Sequence, residues 1–337
     1  MNADALSKQP QATATPPQQK PARKRFSFNP VYIVLAALLI AIAFQNTQFL
    51  EVSGWMNFLK RAAPLAILAA GQVYVLTSGG FDLSQGSMIT LTVIGSSMLL
   101  NNDPDITWWV IALMLGAGVL VGLINGLVVC YLRVPSLIAT LGMMITLNGL
   151  ALMWSGGSPR GYLPDAFRFF GRYNFQDVPL LGILPAAVIV LAVIGFALYW
   201  LLHRTNFGRL LHAVGDNPHA AWLAGAPVER VRILAFVVSA VSAAIAGIML
   251  GGFAGVSTDV GAGYELQAIT AAVLGGAQLL GGYGSVPATI AGALTLQAIF
   301  TLLNFIGLPK PVRDVVQGLI LIAAVAVAAS RRGRRGH

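Results

Sequence analysis

The chain has few charged residues and a single cysteine. Only 10% of its 337 residues are charged and 56% are hydrophobic, whereas soluble domains carry about 25% charged residues. This composition excludes an ordinary soluble globule and predicts a polytopic membrane protein. Cys130 has no second cysteine with which to pair, so an intrachain disulfide is excluded as well.

Sequence signatures of catalysis are also missing. There is no G-x-x-x-x-G-K-[ST] phosphate loop, which excludes ATP binding through such a loop in this chain. No His-Glu-x-x-His motif, paired cysteines or Gly-x-Ser-x-Gly elbow occurs. Ionisable residues are nearly absent from the apolar segments, which argues against a proton relay. We therefore expect a non-enzyme with no catalytic residue, no metal ion and no cofactor of its own.

Long apolar segments dominate what is present, and the mean hydropathy is +0.75. Because about 20 apolar residues span a bilayer as a helix, the sequence predicts an all-α fold. This would be a polytopic transmembrane bundle of about ten segments, some of them short or discontinuous. The short segments are Ala62–Thr77, Ser87–Leu100 and Tyr264–Leu280. The others are Pro30–Phe44, Thr107–Leu132, Val134–Trp154, Pro179–Leu202, Ile233–Ala254, Val286–Leu303 and Val315–Ala329.

Basic residues are distributed unevenly between the two sides of this bundle. With ten crossings and both termini in the cytoplasm, the cytoplasmic side holds 14 of the 21 Lys and Arg residues, as the positive-inside rule requires. The sequence then divides into a disordered basic tail over 1–29, a transmembrane domain over 30–329 and a basic tail over 330–337. A cytoplasmic loop lies at 203–232. The basic tails suit anionic membrane lipid, and no nucleic-acid recognition module accompanies them.

The loop His203–Arg232 separates two apolar halves and contains the signature of a short helix. Asp216 or Asn217 can cap its start, and Gly225 can end it in the left-handed conformation. These signals predict about two helical turns over Pro218–Ala224. A helix this short is marginal by itself in water. Either another protein binds it, or it is an ordinary capped helix on the membrane surface.

Two glycine-rich segments adjoin short apolar segments, one in each half of the chain. They are Ser78–Ser87 and Gly275–Ser285, and such pairs indicate discontinuous helices around a transport path. Asp82 or Ser84 can instead cap the helix that begins near Gly86, and amides in apolar spans can simply bond to neighbouring helices. The candidate pathway or gate residues are Gly80, Asp82, Ser84, Asn125, Asn148, Gln267, Gly275 and Gly276.

Four blocks of sequence resemble one known family, in the same order. They are SGGFDLSQGSMITLTVIGSSML, VPSLIATLGMMITLNGLALMWSGG, HRTNFGRLLHAVGDNPHAAWLAGAPVERVR and GYELQAITAAVLGGAQLLGGYGSVPATIAGALTLQAIFTLLNFIGL. From about Ala62 to Ala329 the chain resembles the permeases of ribose-type ATP-binding-cassette (ABC) sugar importers, which serve ribose, xylose, arabinose or galactosides. The resemblance implies a bacterial inner-membrane permease that imports a monosaccharide or similar polyol by alternating access.

The same resemblance implies partners and site residues. Two cytoplasmic ATPase subunits would bind ATP and Mg, a periplasmic binding protein would deliver the substrate, and a second permease copy, identical or closely related, would complete the path. The family's coupling segment, which contacts the ATPase, falls on the predicted capped helix. Its residues here are Gly215, Asp216, Asn217, Pro218, His219, Ala220, Ala221, Trp222, Leu223, Ala224 and Gly225.

Some residues depart from the family pattern. Phe81 stands where an aliphatic residue is usual, and Gln85 where a small apolar residue or proline is common. Asp216 and Trp222 occupy positions where glycine and a basic residue are frequent. These departures point to a less common substrate or a dedicated ATPase. The alternatives are a nucleoside, autoinducer or branched-chain amino-acid permease of the wider group and, in another class, an ATP-independent channel or carrier.

Overall fold

Helices make up most of the structure, a computed structural model that describes residues 29–179, 181–309, 311–312, 315–320, 322–323 and 326. Apart from Asn29, the two predicted tails lie outside the described residues. Residues 315–320 are helical. The labelled helices are α1 (Val31–Gln45), α2 (Val52–Thr77), α3 (Gln85–Leu100), α4 (Thr107–Cys130), α5 (Ser136–Ser155), α6 (Asp165–Arg172), α7 (Ala186–Arg204), α8 (Asn206–Asp216), α9 (Pro218–Leu223), α10 (Val228–Ala254), α11 (Tyr264–Leu274) and α12 (Val286–Phe305). A 3-10 turn covers Thr47–Leu50, and the strands are β1 (Asn174–Val178) and β2 (Gly182–Pro185).

The predicted all-α membrane bundle is confirmed. Among the described residues, six helices are long and apolar enough to cross a membrane: α2, α4, α5, α7, α10 and α12. Each of the ten predicted apolar segments contains helix in the part that the structure describes. The segments therefore correspond to helices, although several of their boundaries differ from the prediction.

Helix α2 is longer than predicted. The sequence placed a short segment at Ala62–Thr77, but the helix begins at Val52 and has 26 residues. Its first part carries Lys60 and Arg61, whose charges interrupt the apolar pattern. The Lys60 ammonium donates to the backbone carbonyl of Arg172 at 2.7 Å, so its charge is satisfied at the bundle edge. Of the three segments predicted to be short, those of α3 and α11 remain so, with 16 and 11 residues.

The segment predicted at Pro179–Leu202 begins as a β-hairpin rather than as a helix. Strands β1 and β2 pair antiparallel, with Phe175 opposite Leu184, and α7 starts only after Pro185. Gly182 supplies the turn with a left-handed φ of 65°. The hairpin and α6 lie at one end of the bundle, which we call the hairpin end.

The polar loop at 203–232 is more helical than predicted. Helix α8 occupies Asn206–Asp216, and α10 already begins at Val228. Helix α8 forms because Leu211 and Val214 share one face and are fully buried against the bundle. The end of the bundle that carries α8 and α9 is called the loop end.

Helices α2 and α10 form the centre of the bundle. All of α2 from Ala62 onward is buried, as is most of α10. Gly118, Gly122 and Gly126 bring the backbone of α4 directly against α10, and a methyl group on Gly122 would lie 2.5 Å from the Val237 Cα. Membrane helices associate through such close packing because lipid supplies no hydrophobic drive between them.

The short helices α3 and α11 begin beside each other inside the bundle. The Gly261 amide donates to the Thr90 hydroxyl at 3.2 Å, and Glu265 lies against Gly86 in the first turn of α3. From this point α3 runs to the hairpin end, where Leu100 packs with residues of α6, and α11 runs to the loop end. The prediction that some helices of the bundle are short or discontinuous is therefore confirmed, although one of the two predicted positions is wrong.

The interior break of the second half does not lie where the glycines predicted it. The segment Gly275–Ser285, called the second glycine loop, joins α11 to α12 at the loop end. There the Gly282 amide donates to the carbonyl of Thr77 at 3.0 Å. The interior break lies instead at 255–263, before α11. The glycine-rich segment forms a tight turn rather than a break inside the bundle. Tight turns and helix breaks both favour glycine, so the glycine content did not distinguish them.

Candidate coupling surface and buried polar network

The short helix predicted in the polar loop is present as α9. It covers Pro218–Leu223, and the Asn217 side-chain oxygen accepts the Ala220 amide at 3.0 Å. Gly225 has a left-handed φ of 84°, which glycine adopts at little steric cost. Asp216, the other candidate cap, ends α8 instead. The capping signals therefore located this helix to within one residue.

Helix α9 turns one residue toward the bundle and exposes the rest. Ala221 is buried against the chain's own core, so it offers no surface to another protein. Trp222 and Leu223 are 60% and 68% exposed, and the His219 ring stacks on Trp222 with centroids 6.2 Å apart. Exposed aromatic anchors of this kind dominate protein interfaces. The other exposed members of the candidate coupling segment are Asp216, Asn217, Pro218, Ala220, Ala224 and Gly225.

Gly215 is buried where α8 meets α2 and the second glycine loop. A methyl group at Gly215 would lie 1.8 Å from the Thr77 carbonyl oxygen and 2.6 Å from the Gly282 amide nitrogen. Nearby, the Nε2 atom of His212 lies 3.3 Å from the Gly284 carbonyl oxygen. These three elements form one tightly packed group, which we call the loop-end cluster.

Three of the candidate pathway residues are buried together. Asp82 Oδ1 accepts the Ser84 hydroxyl at 2.6 Å and the Ser84 amide at 3.0 Å. Asp82 Oδ2 accepts the Ser239 hydroxyl of α10 at 2.6 Å. The Asn125 side-chain amide of α4 donates to the Ser84 hydroxyl at 3.0 Å, and that of Gln85 donates to the Ser239 hydroxyl at 2.9 Å. The two serine hydroxyls therefore donate to Asp82 and the two amides donate to the serines, while the Gln85 amide also donates to the Leu68 carbonyl at 3.4 Å.

The network is ordered for a carboxylate at Asp82. Each serine hydroxyl accepts a hydrogen bond from an amide N–H and donates its single O–H to the carboxylate. The five side chains are buried, and a low dielectric strengthens such chains of hydrogen bonds. Ser84, which precedes α3, makes no side-chain capping bond to that helix.

The remaining candidate pathway residues lie apart from this network. Asn148 is exposed on α5. The carbonyl of Gly275, at the end of α11, accepts the Asn29 side-chain amide at 2.7 Å. The others are Gly80, which is buried, Gln267, which is half-buried, and Gly276, which is exposed.

Comparison with known proteins gives the family. The family described as branched-chain amino acid transport system, permease component, matches residues 54–325. The chain belongs to this permease family. The ribose import permease protein RbsC of Escherichia coli K12 is 32% identical over 299 residues, which are 87% of this chain and 92% of that protein. RbsC of Bacillus subtilis 168 is 33% identical over 322 residues (91% and 96%). The autoinducer 2 import system permease protein LsrC of Klebsiella pneumoniae is 36% identical over 297 residues (88% and 84%). No solved structure matches.

Some residues of the permease site were not predicted. Ser239 donates to Oδ2 of Asp82. A single serine in an apolar helix gives no sequence signal of such a role. In the sequence, Gln85 stands out only as a departure from the family pattern. Thr77 gives no side-chain signal at all, because its backbone carbonyl makes the contacts with α8 and the second glycine loop.

The permease offers surfaces for recognition and positioning. Within the described ranges, no group of three or more His, Cys, Asp or Glu side chains is placed to hold a metal ion. What the geometry provides is an exposed apolar helix, a packed cluster beneath it and a buried hydrogen-bond network deeper in the bundle. Such an arrangement can bind a partner and pass on a displacement.

Proposed function

We propose that this permease is the membrane-spanning subunit of an ABC importer that takes up a monosaccharide or similar polyol by alternating access. The observation that carries the proposal is the exposed, capped helix α9 on a membrane bundle whose sequence has no phosphate loop. ATP and Mg would bind to partner ATPase subunits, so the energy of ATP must reach this chain by contact. The ribose import relatives support a monosaccharide, and the autoinducer 2 import relative supports the autoinducer alternative.

Helix α9 suits an ATPase partner because it exposes an apolar surface and rests on a tightly packed helix. Trp222 and Leu223 form a large exposed apolar ridge, and Ala220 and Ala224 beside it let a partner approach closely. Burying two such side chains contributes about 1.5–3 kcal/mol each to association. Beneath α9, the backbone of α8 at Gly215 packs directly against Thr77 of α2 and Gly282 of the second glycine loop. A movement of α9 would therefore displace these parts of the bundle as well.

The exposed face of α5 supports a second permease copy, identical or closely related. Asn148 is exposed in the middle of an apolar helix, and Gly142 and Gly149 on the same helix have open space around them. An amide that faces lipid is costly, because lipid offers no hydrogen-bond partner. A second copy that meets this face, with the solute path between the two, would remove that cost.

The two ends of the bundle suit opposite sides of the inner membrane. The basic tails and the α8–α9 segment would lie in the cytoplasm, near anionic lipid. The hairpin end would then face the periplasm and receive the binding protein. Trp108 and Trp109 are exposed at that end, where aromatic side chains favour the membrane interface.

Reconstitution tests the proposal directly. The permease is placed in liposomes with its ATPase and binding protein, and uptake of radiolabelled ribose, other monosaccharides, autoinducer 2 and leucine is compared. We expect uptake of a sugar or polyol that requires ATP and both partners. Equal uptake by the permease alone would indicate a channel or carrier, and preference for leucine would overturn the substrate class.

A further inference from the structure

The segment Thr77–Ser84, called the junction, begins in the loop-end cluster. The Thr77 carbonyl is contacted from two sides, by Gly215 of α8 and by Gly282 of the second glycine loop. Next along the junction, the Gly79 Cα lies 3.0 Å from where a methyl group on Gly281 would stand. These are backbone contacts, so no flexible side chain lies between the elements to absorb movement. A displacement of α8 must therefore displace the start of the junction.

The other end of the junction is attached to three different helices. The Phe81 amide donates to the Ser136 hydroxyl of α5 at 3.0 Å. Asp82 accepts from Ser239 of α10, and the Ser84 hydroxyl accepts from the Asn125 side-chain amide of α4. Helix α5 also carries the exposed amide of Asn148. A few residues thus connect the surface under α9 with three helices of the bundle.

We propose that the junction transmits movement of the α8–α9 surface to α4, α5 and α10, with Asp82 as the positioning residue at its branch point. Because this role deepens the proposed ABC importer function, it rests on that function. Asp82 suits the branch point because Oδ2 accepts from Ser239 of α10, while Oδ1 accepts within the junction from Ser84, the residue that accepts from Asn125 of α4. An asparagine of the same shape would place an NH2 donor at one of these two positions. At the Oδ1 position this donor would face the Ser84 backbone amide, which can only donate, and at the Oδ2 position it would remove the acceptor of the Ser239 hydroxyl proton.

The experiment measures ATP hydrolysed per ribose imported by the complete transporter in liposomes. Asp82→Asn and Ser239→Ala are compared with Ser96→Ala, a matched control because Ser96 is also buried and its hydroxyl has no partner among the described residues. We expect Asp82→Asn to raise the ratio about tenfold or more, because an unsatisfied buried donor weakens the attachment. Ser239→Ala should raise it by a smaller factor, and Ser96→Ala should leave it unchanged.

A ratio that stays at the wild-type value in both Asp82→Asn and Ser239→Ala overturns the proposal, whether the two activities are normal or fall together. Copurification of the ATPase shows that each variant is assembled, and Ser239→Ala gives the answer if Asp82→Asn does not fold. A wild-type transporter that imports no solute with ATP would instead overturn the proposed function, so the two failures are distinguishable.

Discussion

Helix α9 and the Asp82 network differ in how they are held together. The cap of α9 joins Asn217 to Ala220, three residues along the chain. The network joins Asp82 to Ser239 across 157 residues, and it depends on α3, α4 and α10 being correctly packed. One region is a local structure on the surface, and the other is a product of the whole bundle.

The difference separates two kinds of defect. A change on α9 should weaken association with a partner but leave each assembled transporter able to use ATP for uptake. A change in the network, or where Thr77 of the junction meets Gly215 of α8, should permit assembly but raise the amount of ATP hydrolysed per solute imported. Association and the amount of ATP used per solute are therefore the two quantities that distinguish the regions.

The largest effect is expected from Gly215→Ala, which tests whether the two regions are mechanically joined. The added methyl group would lie 1.8 Å from the Thr77 carbonyl oxygen, so the backbone must shift. We expect ATP-driven uptake to fall about 100-fold, the equivalent of an overpacking cost of ~3 kcal/mol. The control is Gly116→Ala on α4, where the space is open. Similar uptake by both variants would show that α8 and the junction move independently.

Trp222→Ala should have the next largest effect, confined to association. Loss of an exposed aromatic anchor of about 2 kcal/mol predicts about 30-fold weaker binding of the ATPase to the permease in nanodiscs. Trp109→Ala provides the control, because Trp109 is 79% exposed at the opposite end of the bundle. Weaker binding in the control as well, or an altered ATP-to-solute ratio in assembled Trp222→Ala, would contradict the proposed division of roles.

Asn217→Ala should have the smallest effect. Removing an N-cap costs about 1 kcal/mol of helix stability, which predicts about fivefold weaker ATPase binding. Asn217→Asp should bind like the wild type, since aspartate is an equally good N-cap. If alanine and aspartate weaken binding equally, Asn217 acts by direct contact with the partner rather than by capping α9.

Sequence could predict the structures whose signals are local. The capped helix α9 was predicted because Asn217, Pro218 and Gly225 each act within a few residues of their position. The fold class followed from the length and number of the apolar segments. Neither inference needed any knowledge of which segments pack together.

Features that arise from packing could not be predicted in the same way. Helix α8 gains its stability from burying Leu211 and Val214, and the polar residues around them conceal that pattern. The start of α2 was missed because Lys60 is satisfied by a residue of α6, far along the chain. Asp82 was recognised as a candidate, but its partner Ser239 lies on a helix that sequence spacing cannot bring to it.

The bond between Asn29 and Gly275 has a practical consequence for work with this protein. It anchors the N-terminal end of α1 to the end of α11, where the second glycine loop begins. An affinity tag or fluorescent fusion attached close before residue 29 would therefore sit beside the turn that packs under α8. A reporter placed there can perturb the measurement for which it was added, so a long spacer should precede Asn29.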